Sequence, residues 1–447
     1  MKTALLSKHT VLAAAVLSLG TSFVASAAAG SGPAVGTLVL ASSDAKGQIK
    51  PGLTSPCAIS ADGSLVAFTS SASEFVAGDT NNSNDVFLKN VRTGTITRVS
   101  TTSTGGQIFD GATCLGMTPD GNSIVLRAST PSSGGGTVFP AGPREPALFV
   151  NRLQSGSLER VSPPMGTLPE TRSYEYRSIS DDGNTVAFVT NPSARYGGPY
   201  SYIPTGPGRT LIRDLRTGTL TDLTSTITLD LGALPPDTIS TMALSPDGSL
   251  LAFDSRADHP AAGDTNGKSD VFVLDLTTRN LQIVSTDSSG QQIDGFSGVS
   301  PKLAVSRFLA GGAKLAIYVP TQSSFGAGGL YIKNLNDESL RLVLAQEPGI
   351  YLNDEALSVS FSRDGSKVAF TRQVLTQEGI RDKAVVRDVL TGQERIVAVT
   401  AAGVIGNNQS RFPFLSQNGT NVLFESNASN LSRARYTHEL YVKTISP

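Results

Sequence analysis

Short apolar runs alternate with turns rich in Ser, Thr, Gly and Asp along almost the whole chain, and one polar-to-apolar unit recurs. A Ser/Thr-x-Asp-Gly turn leads into an apolar stretch of strand-like length, and two further strand-like stretches follow. The turn stands at Ser60-Ala61-Asp62-Gly63, Thr118-Pro119-Asp120-Gly121, Ser180-Asp181-Asp182-Gly183, Ser245-Pro246-Asp247-Gly248 and Ser362-Arg363-Asp364-Gly365. Ser416-Gln417-Asn418-Gly419 is a copy with Asn for Asp, and Ala310-Gly311-Gly312 keeps the glycine without the acid. A repeat of this length holding several short strands predicts a solenoid or a propeller.

The fourth copy shows the unit most clearly. Thr241 to Leu244 enter the turn and Leu250 to Asp254 leave it, which predicts a hairpin. Glycine reaches positive φ without steric cost, and the Asp carboxylate can accept from nearby backbone N–H groups. Ser269 to Leu276 read as a third strand, Thr277-Thr278 as a turn, and Leu281 to Ser285 as a fourth. Four antiparallel strands per copy make a propeller blade. The last copy ends after three strands, and Thr37 to Ser43 followed by Gly47-Gln48 repeats the pattern of Leu281 to Thr286 followed by Gly290-Gln291. The expected fold is therefore all-β, a seven-bladed β-propeller whose N-terminal strand completes the last blade and removes open sheet edges. The blades fall near 53–100, 112–162, 175–224, 239–285, 299–344, 356–399 and 410–447 with 37–43, in one domain spanning 28–447.

Residues 1–27 carry the pattern of a secretory signal: Lys2 and Lys8, the apolar stretch Val11–Leu19, and Ala25-Ser26-Ala27 at the cleavage site. The apolar stretch is well short of the roughly 20 residues of a spanning helix, so no membrane insertion is expected. A periplasmic or secreted location follows. Loss of the signal leaves 34 basic against 37 acidic side chains, a balance that gives no reason to bind nucleic acid. Forty-five glycines, 24 prolines and no tryptophan suit a turn-rich β protein. The two cysteines, Cys57 and Cys114, sit ahead of neighbouring turns. They are either a disulfide, which export permits, or two small buried side chains.

The Ser-x-Asp-Gly-x-x-[Leu/Val]-Ala-Phe stretches, as in Ser60–Phe68 and Ser245–Phe253, resemble the WD40-like PD40 repeats of TolB-type β-propellers. The resemblance covers nearly the whole chain after the signal and implies the propeller fold. It says little about activity, because such repeats serve scaffolds, receptors and the gating halves of peptidases. The separate α/β domain of TolB has no counterpart expected here, and no Gly-x-Ser-x-Gly elbow of a peptidase partner domain is present.

In a propeller the loop between strands two and three and the loop leading into strand one open on the same face. In the third copy Tyr174, Tyr176 and Arg177 lead into strand one, and Arg195, Tyr196, Tyr200 and Tyr202 lie between strands two and three. Five of the ten tyrosines fall in this span. Tyr and Arg often anchor binding energy at interfaces. Two readings stay open: a ligand-binding patch, or a long loop folded over its own tyrosines.

Equivalent loops on that face, Asp79 to Asp85 and Asp264 to Asp270, place Asp79, Asn81, Asp85, Asp264, Asn266 and Asp270 in a spacing compatible with calcium. They lack the Gly and distant Glu of an EF-type loop, and Lys268 lies inside the second. The plainer reading is that these side chains close turns. Enzymatic signals are thin. His259 and His438 stand in different copies, and nothing points to a catalytic set. The sequence thus predicts a monomeric, non-catalytic scaffold without a cofactor, binding another protein or a cell-envelope macromolecule. The alternatives are a polysaccharide-active lyase or hydrolase working at the channel mouth, or a calcium-stabilised surface protein.

Overall fold

The computed structural model describes residues 36–131, 144–168, 171–192, 194–198, 201–204, 208–224, 241–255, 262–293, 304–319, 328–351, 359–376, 379–431 and 438–445. The signal stretch 1–27 lies outside them. The unit beginning at Gly32 is a ring of seven antiparallel sheets, a seven-bladed β-propeller as the repeat implies. Blade one contains Thr54–Ile59, Leu65–Ser70, Asp85–Asn90 and Ile96–Arg98, hydrogen-bonded in that order. The other blades repeat this order, blade six with an additional short strand, Ile350–Tyr351, paired to its second strand, and first strands of neighbouring blades pack on one another around the axis.

The Val-Ala-Phe run of strand two has a physical explanation in this ring. Each inner sheet is sandwiched between two neighbours, so both faces are buried and the strand reads as continuously apolar. Val66 and Phe68 join the cluster between blades seven and one, and Ala67 joins the cluster between blades one and two. The same division holds for Leu251, Phe253 and Ala252, and for Val368, Phe370 and Ala369. Bulky side chains face the preceding blade and the small one faces the next. Seven clusters result, one per junction between blades.

The turns hold each first hairpin by one network. Ser60 Oγ donates to Asp62 Oδ1 at 2.7 Å and accepts from Leu65 N–H at 2.9 Å, while Ser64 N–H donates to Asp62 at 2.9 Å. Gly63 takes φ 74°, the left-handed conformation the turn requires. Ser245 and Asp247 repeat the arrangement.

Ring closure follows the sequence expectation. Leu38–Leu40 pairs antiparallel with Glu439–Thr444, Leu38 opposite Lys443 and Leu40 opposite Tyr441. Ser42 then donates to Glu439 at 2.6 Å and accepts from Leu440 N–H at 2.9 Å. In blade four Ser285 does the same for Asp270 and Val271 N–H, at 2.5 and 3.0 Å. The N-terminal strand thus reproduces the fourth-strand chemistry of a continuous blade. Cys57 and Cys114 form a disulfide between the innermost strands of blades one and two, with Cα atoms 5.9 Å apart.

Candidate functional site

The ring has two faces. The Asp-Gly turns and the turns between strands three and four lie on one, here the turn face. The connections between strands two and three, and those leading into the next blade, lie on the other, the loop face. The sequence-predicted tyrosine patch belongs to the loop face and to blade three.

Its first strand runs Thr171–Ile179, so Tyr174, Tyr176 and Arg177 stand within the strand rather than ahead of it. Tyr174 is 2% exposed and packs edge-on against Phe188, ring centroids 5.8 Å apart. Burial pushes its hydroxyl up to about 12. Tyr174 is a core side chain with almost no surface for a partner. Tyr176 lies over Gly116 of blade two, where a side chain would come within 2.6 Å of the Tyr176 hydroxyl. Burial raises its pKa as well. Arg177 pairs with Glu175 at 3.0 Å on the same strand.

Arg195, Tyr196 and Tyr202 lie on an additional hairpin, Ala194–Gly198 with Ser201–Pro204, in which Tyr196 stands opposite Tyr202 and Arg195 opposite Ile203. Tyr200 falls outside the described residues. Of the six predicted residues that are described, three are built into the first strand and three lie on the hairpin.

The two Asp-Thr-Asn loops are tied down by a glutamine from the connection into the next blade. Gln107 Nε2 donates to Asp79 Oδ1 at 2.8 Å and to Asp85 Oδ2 at 3.1 Å. An amide donor thus stands between the carboxylates where a cation would have to sit. Asp85 also accepts from Ser100, and burial raises its pKa against these hydrogen bonds. Asn81 donates to Ile108 O at 2.9 Å and accepts from Ser83 N–H at 3.0 Å. In blade four Gln292 approaches Asp264 at 3.5 Å, Asp270 accepts from Ser285, and Asn266 accepts from Lys268 N–H at 2.9 Å. These contacts are of the kind by which Asp and Asn side chains close turns. Among the described residues no group of three or more His, Cys, Asp or Glu is placed to hold a metal.

Sequence reasoning missed an apolar arc on the same face. Among the described residues eight large hydrophobic side chains are exposed, and six of them belong to the loop face. Leu53 and Phe109 lead into blades one and two, Val404 and Ile405 lead into blade seven, and Leu375 and Ile380 stand in blade six. The last two are directly opposite each other near the tip of a hairpin formed by Lys367–Thr376 and Gly379–Asp388. They are 74% and 51% exposed. These ten-residue strands exceed the six residues of their blade-one equivalents, so the hairpin extends toward the loop face. A strand pattern continuing through Val374-Leu375 was the available signal.

A polar cleft of about 480 Å³ lies between blades two and three on the turn face. Its Arg152 is occupied by Ser123, Asn184 and Glu159. His438 pairs with Glu425 at 2.6 Å, and His259 lies outside the described residues. No helix among the described residues is long and apolar enough to cross a membrane.

These features define the class of protein: a seven-bladed β-propeller with an apolar arc and an added hairpin on one face. The chain is similar to an oligogalacturonate lyase from Vibrio parahaemolyticus, at 12% identity over 93% of this chain and 92% of that one, with a TM-score of 0.53. It is similar to an oligogalacturonate lyase in complex with manganese, at 14% identity over 87% and 88%, TM-score 0.50. TolB from Acinetobacter baumannii also aligns, at 14% identity over 89% and 79%, TM-score 0.38. At these identities the shared property is the fold. No family model matches the chain, and no curated protein sequence matches it.

Proposed function

We propose that this chain is an exported, non-catalytic binding scaffold that docks another protein of the cell envelope on its loop face. The observation that carries the reading is the arc of Leu375, Ile380, Val404, Ile405, Leu53 and Phe109, spread over four consecutive blades of one face. Exposed large hydrophobics scattered singly need no explanation, whereas their concentration on one face marks an interaction surface. The blade-three hairpin, in which Tyr196 pairs with Tyr202, belongs to a strand-two-to-three connection of the same face, and tyrosine is a residue type that interfaces favour. Export rests on the signal pattern of residues 1–27.

The test is co-purification from the native cell. Ile380→Asp with Val404→Asp places two charges on the arc, and partner recovery is expected to fall at least tenfold with the melting temperature unchanged. Undiminished recovery would remove the arc from the binding surface. Turnover of an oligosaccharide panel by the purified protein would replace the scaffold reading with the polysaccharide-active one.

A further inference from the structure

The second position of each Asp-Gly turn lies at the axial mouth on the turn face, where backbone bonds link neighbouring turns. Ala61 N–H donates to Pro119 O, Asp181 N–H to Pro246 O, Arg363 N–H to Gln417 O, and Asn418 N–H to Ala61 O. Around the ring these second positions are Ala61, Pro119, Asp181, Pro246, Ala310, Arg363 and Gln417. Four are inert, and the three polar ones converge. Arg363 of blade six reaches Asp181 of blade three at 3.2 Å and the Gln417 side chain at 3.3 Å. A contact between blades three and six spans the mouth.

A second guanidinium stands beside this pair. Arg307 occupies the first-strand position of blade five opposite Ala316. The equivalent residues in blades one, two, three, four and six are Ala58, Gly116, Ser178, Ala243 and Ser360. Blade seven has Phe414 there, so a charged side chain stands at this position in blade five alone. Arg307 Nη1 donates to Phe361 O at 3.5 Å, a long contact, and no carboxylate among the described residues lies within ion-pair distance of it. Burial lowers its pKa, the Asp181 carboxylate opposes that shift and Arg363 adds to it. Asp120 also acts on Asp181, but its own oxygens are engaged by Thr118 and Asn122. A guanidinium has five N–H donors in a rigid fork that matches an oxyanion. Asp181 is paired directly with the Arg363 fork and influenced at longer range by the Arg307 fork, and among the described residues Phe361 O is the one acceptor found for Arg307.

We propose that the turn-face mouth of the channel is an oxyanion-binding site, in which Arg307 and Arg363 hold a carboxylate or phosphate group of a small ligand that displaces Asp181. The site is on the face opposite the docking arc and does not depend on it. The ligand enters from the turn face, and Gln417 supplies a neutral donor beside Arg363.

The test is the melting temperature of the full mature protein in inorganic phosphate and, separately, in acetate, at constant ionic strength against chloride. A bound ligand raises stability as its concentration passes the dissociation constant, whereas excluded salts stabilise all variants alike. A saturable rise is expected in wild type, shifted at least tenfold to higher concentration in Arg363→Gln. The rise should appear at several-fold lower concentration in Asp181→Asn, which removes the competing carboxylate. Arg307→Met keeps the stem and should behave like Arg363→Gln, and if it fails to fold the half-exposed Arg363 variant still decides the matter. A response to phosphate alone or to acetate alone supports the site and identifies its source. No saturable response to either, or an equal response in wild type and Arg363→Gln, overturns it.

Discussion

Replacing Ser245 by Ala should weaken the fold by about 2–3 kcal/mol, through a turn on the face opposite the apolar arc. Ser245 is 1% exposed and makes two bonds, to Asp247 Oδ1 at 2.6 Å and from Leu250 N–H at 2.9 Å. Orphaning a largely buried N–H costs about 1–3 kcal/mol. The bond to Asp247 is charge-assisted, but the carboxylate faces solvent and screening limits that contribution to about 1 kcal/mol or less. The chain has no tryptophan, so far-UV circular dichroism in a urea titration is the suitable readout.

The pH dependence separates the two parts. The hydrogen bond from Ser245 is the largest influence on Asp247 and holds it below 3.8, with burial acting the other way. A depressed carboxylate stabilises the native state above its unfolded pKa, and that contribution is lost as pH falls through the folded value. The gap between wild type and Ser245→Ala should therefore be full above about pH 4 and shrink below it. Ser245→Thr should be close to neutral, because Thr118 makes the same bonds in blade two, at 2.6 and 3.0 Å. A loss below about 0.5 kcal/mol in the Ala variant, or an equal loss in the Thr variant, would refute the reasoning.

Three other outcomes are expected. Reducing the Cys57–Cys114 bond, which spans 57 residues, should lower stability by up to roughly 4 kcal/mol on the chain-entropy estimate, seen as a lower urea midpoint with dithiothreitol. Glu439→Gln keeps an acceptor for Ser42 and removes a charge whose pKa burial raises. Because a raised carboxyl favours the native state more as pH falls, the variant should match or exceed wild-type stability at neutral pH and lose that advantage below the ordinary range near 4.5. Calcium at millimolar concentration should leave the melting temperature unchanged, because the Gln107 amide already bridges Asp79 and Asp85; a calcium-dependent rise would contradict that geometry.

The fold was legible because its determinants are local. Ser-x-Asp-Gly fixes a hairpin within six residues, and the Val-Ala-Phe run encodes burial on both faces. Even the closing strand could be read, since Leu38 to Ser42 had to satisfy the pairing and capping that Leu281 to Ser285 satisfy elsewhere. The candidate sites were less legible because they depend on side-chain direction and on distance across the ring. Tyr174 and Tyr176 were visible as tyrosines but not as strand residues, since the blade-three first strand begins earlier than its turn suggested. Asp181, Arg307 and Arg363 each read as an ordinary turn or strand position, and only the closed ring brings blade three to blade six. Leu375 and Ile380 are exposed because the hairpin carrying them is longer than its equivalents, which the repeat pattern does not specify.

Engagement of a protein partner by the loop face can be read directly in the native cell. The measurement uses a photo-crosslinking residue at Leu375, with a control at Leu390, which is 80% exposed on the turn face. A discrete protein adduct is expected from position 375, none from 390, and loss of the adduct when Val404→Asp is added. Equal adducts from both positions, or none from 375, would contradict that engagement.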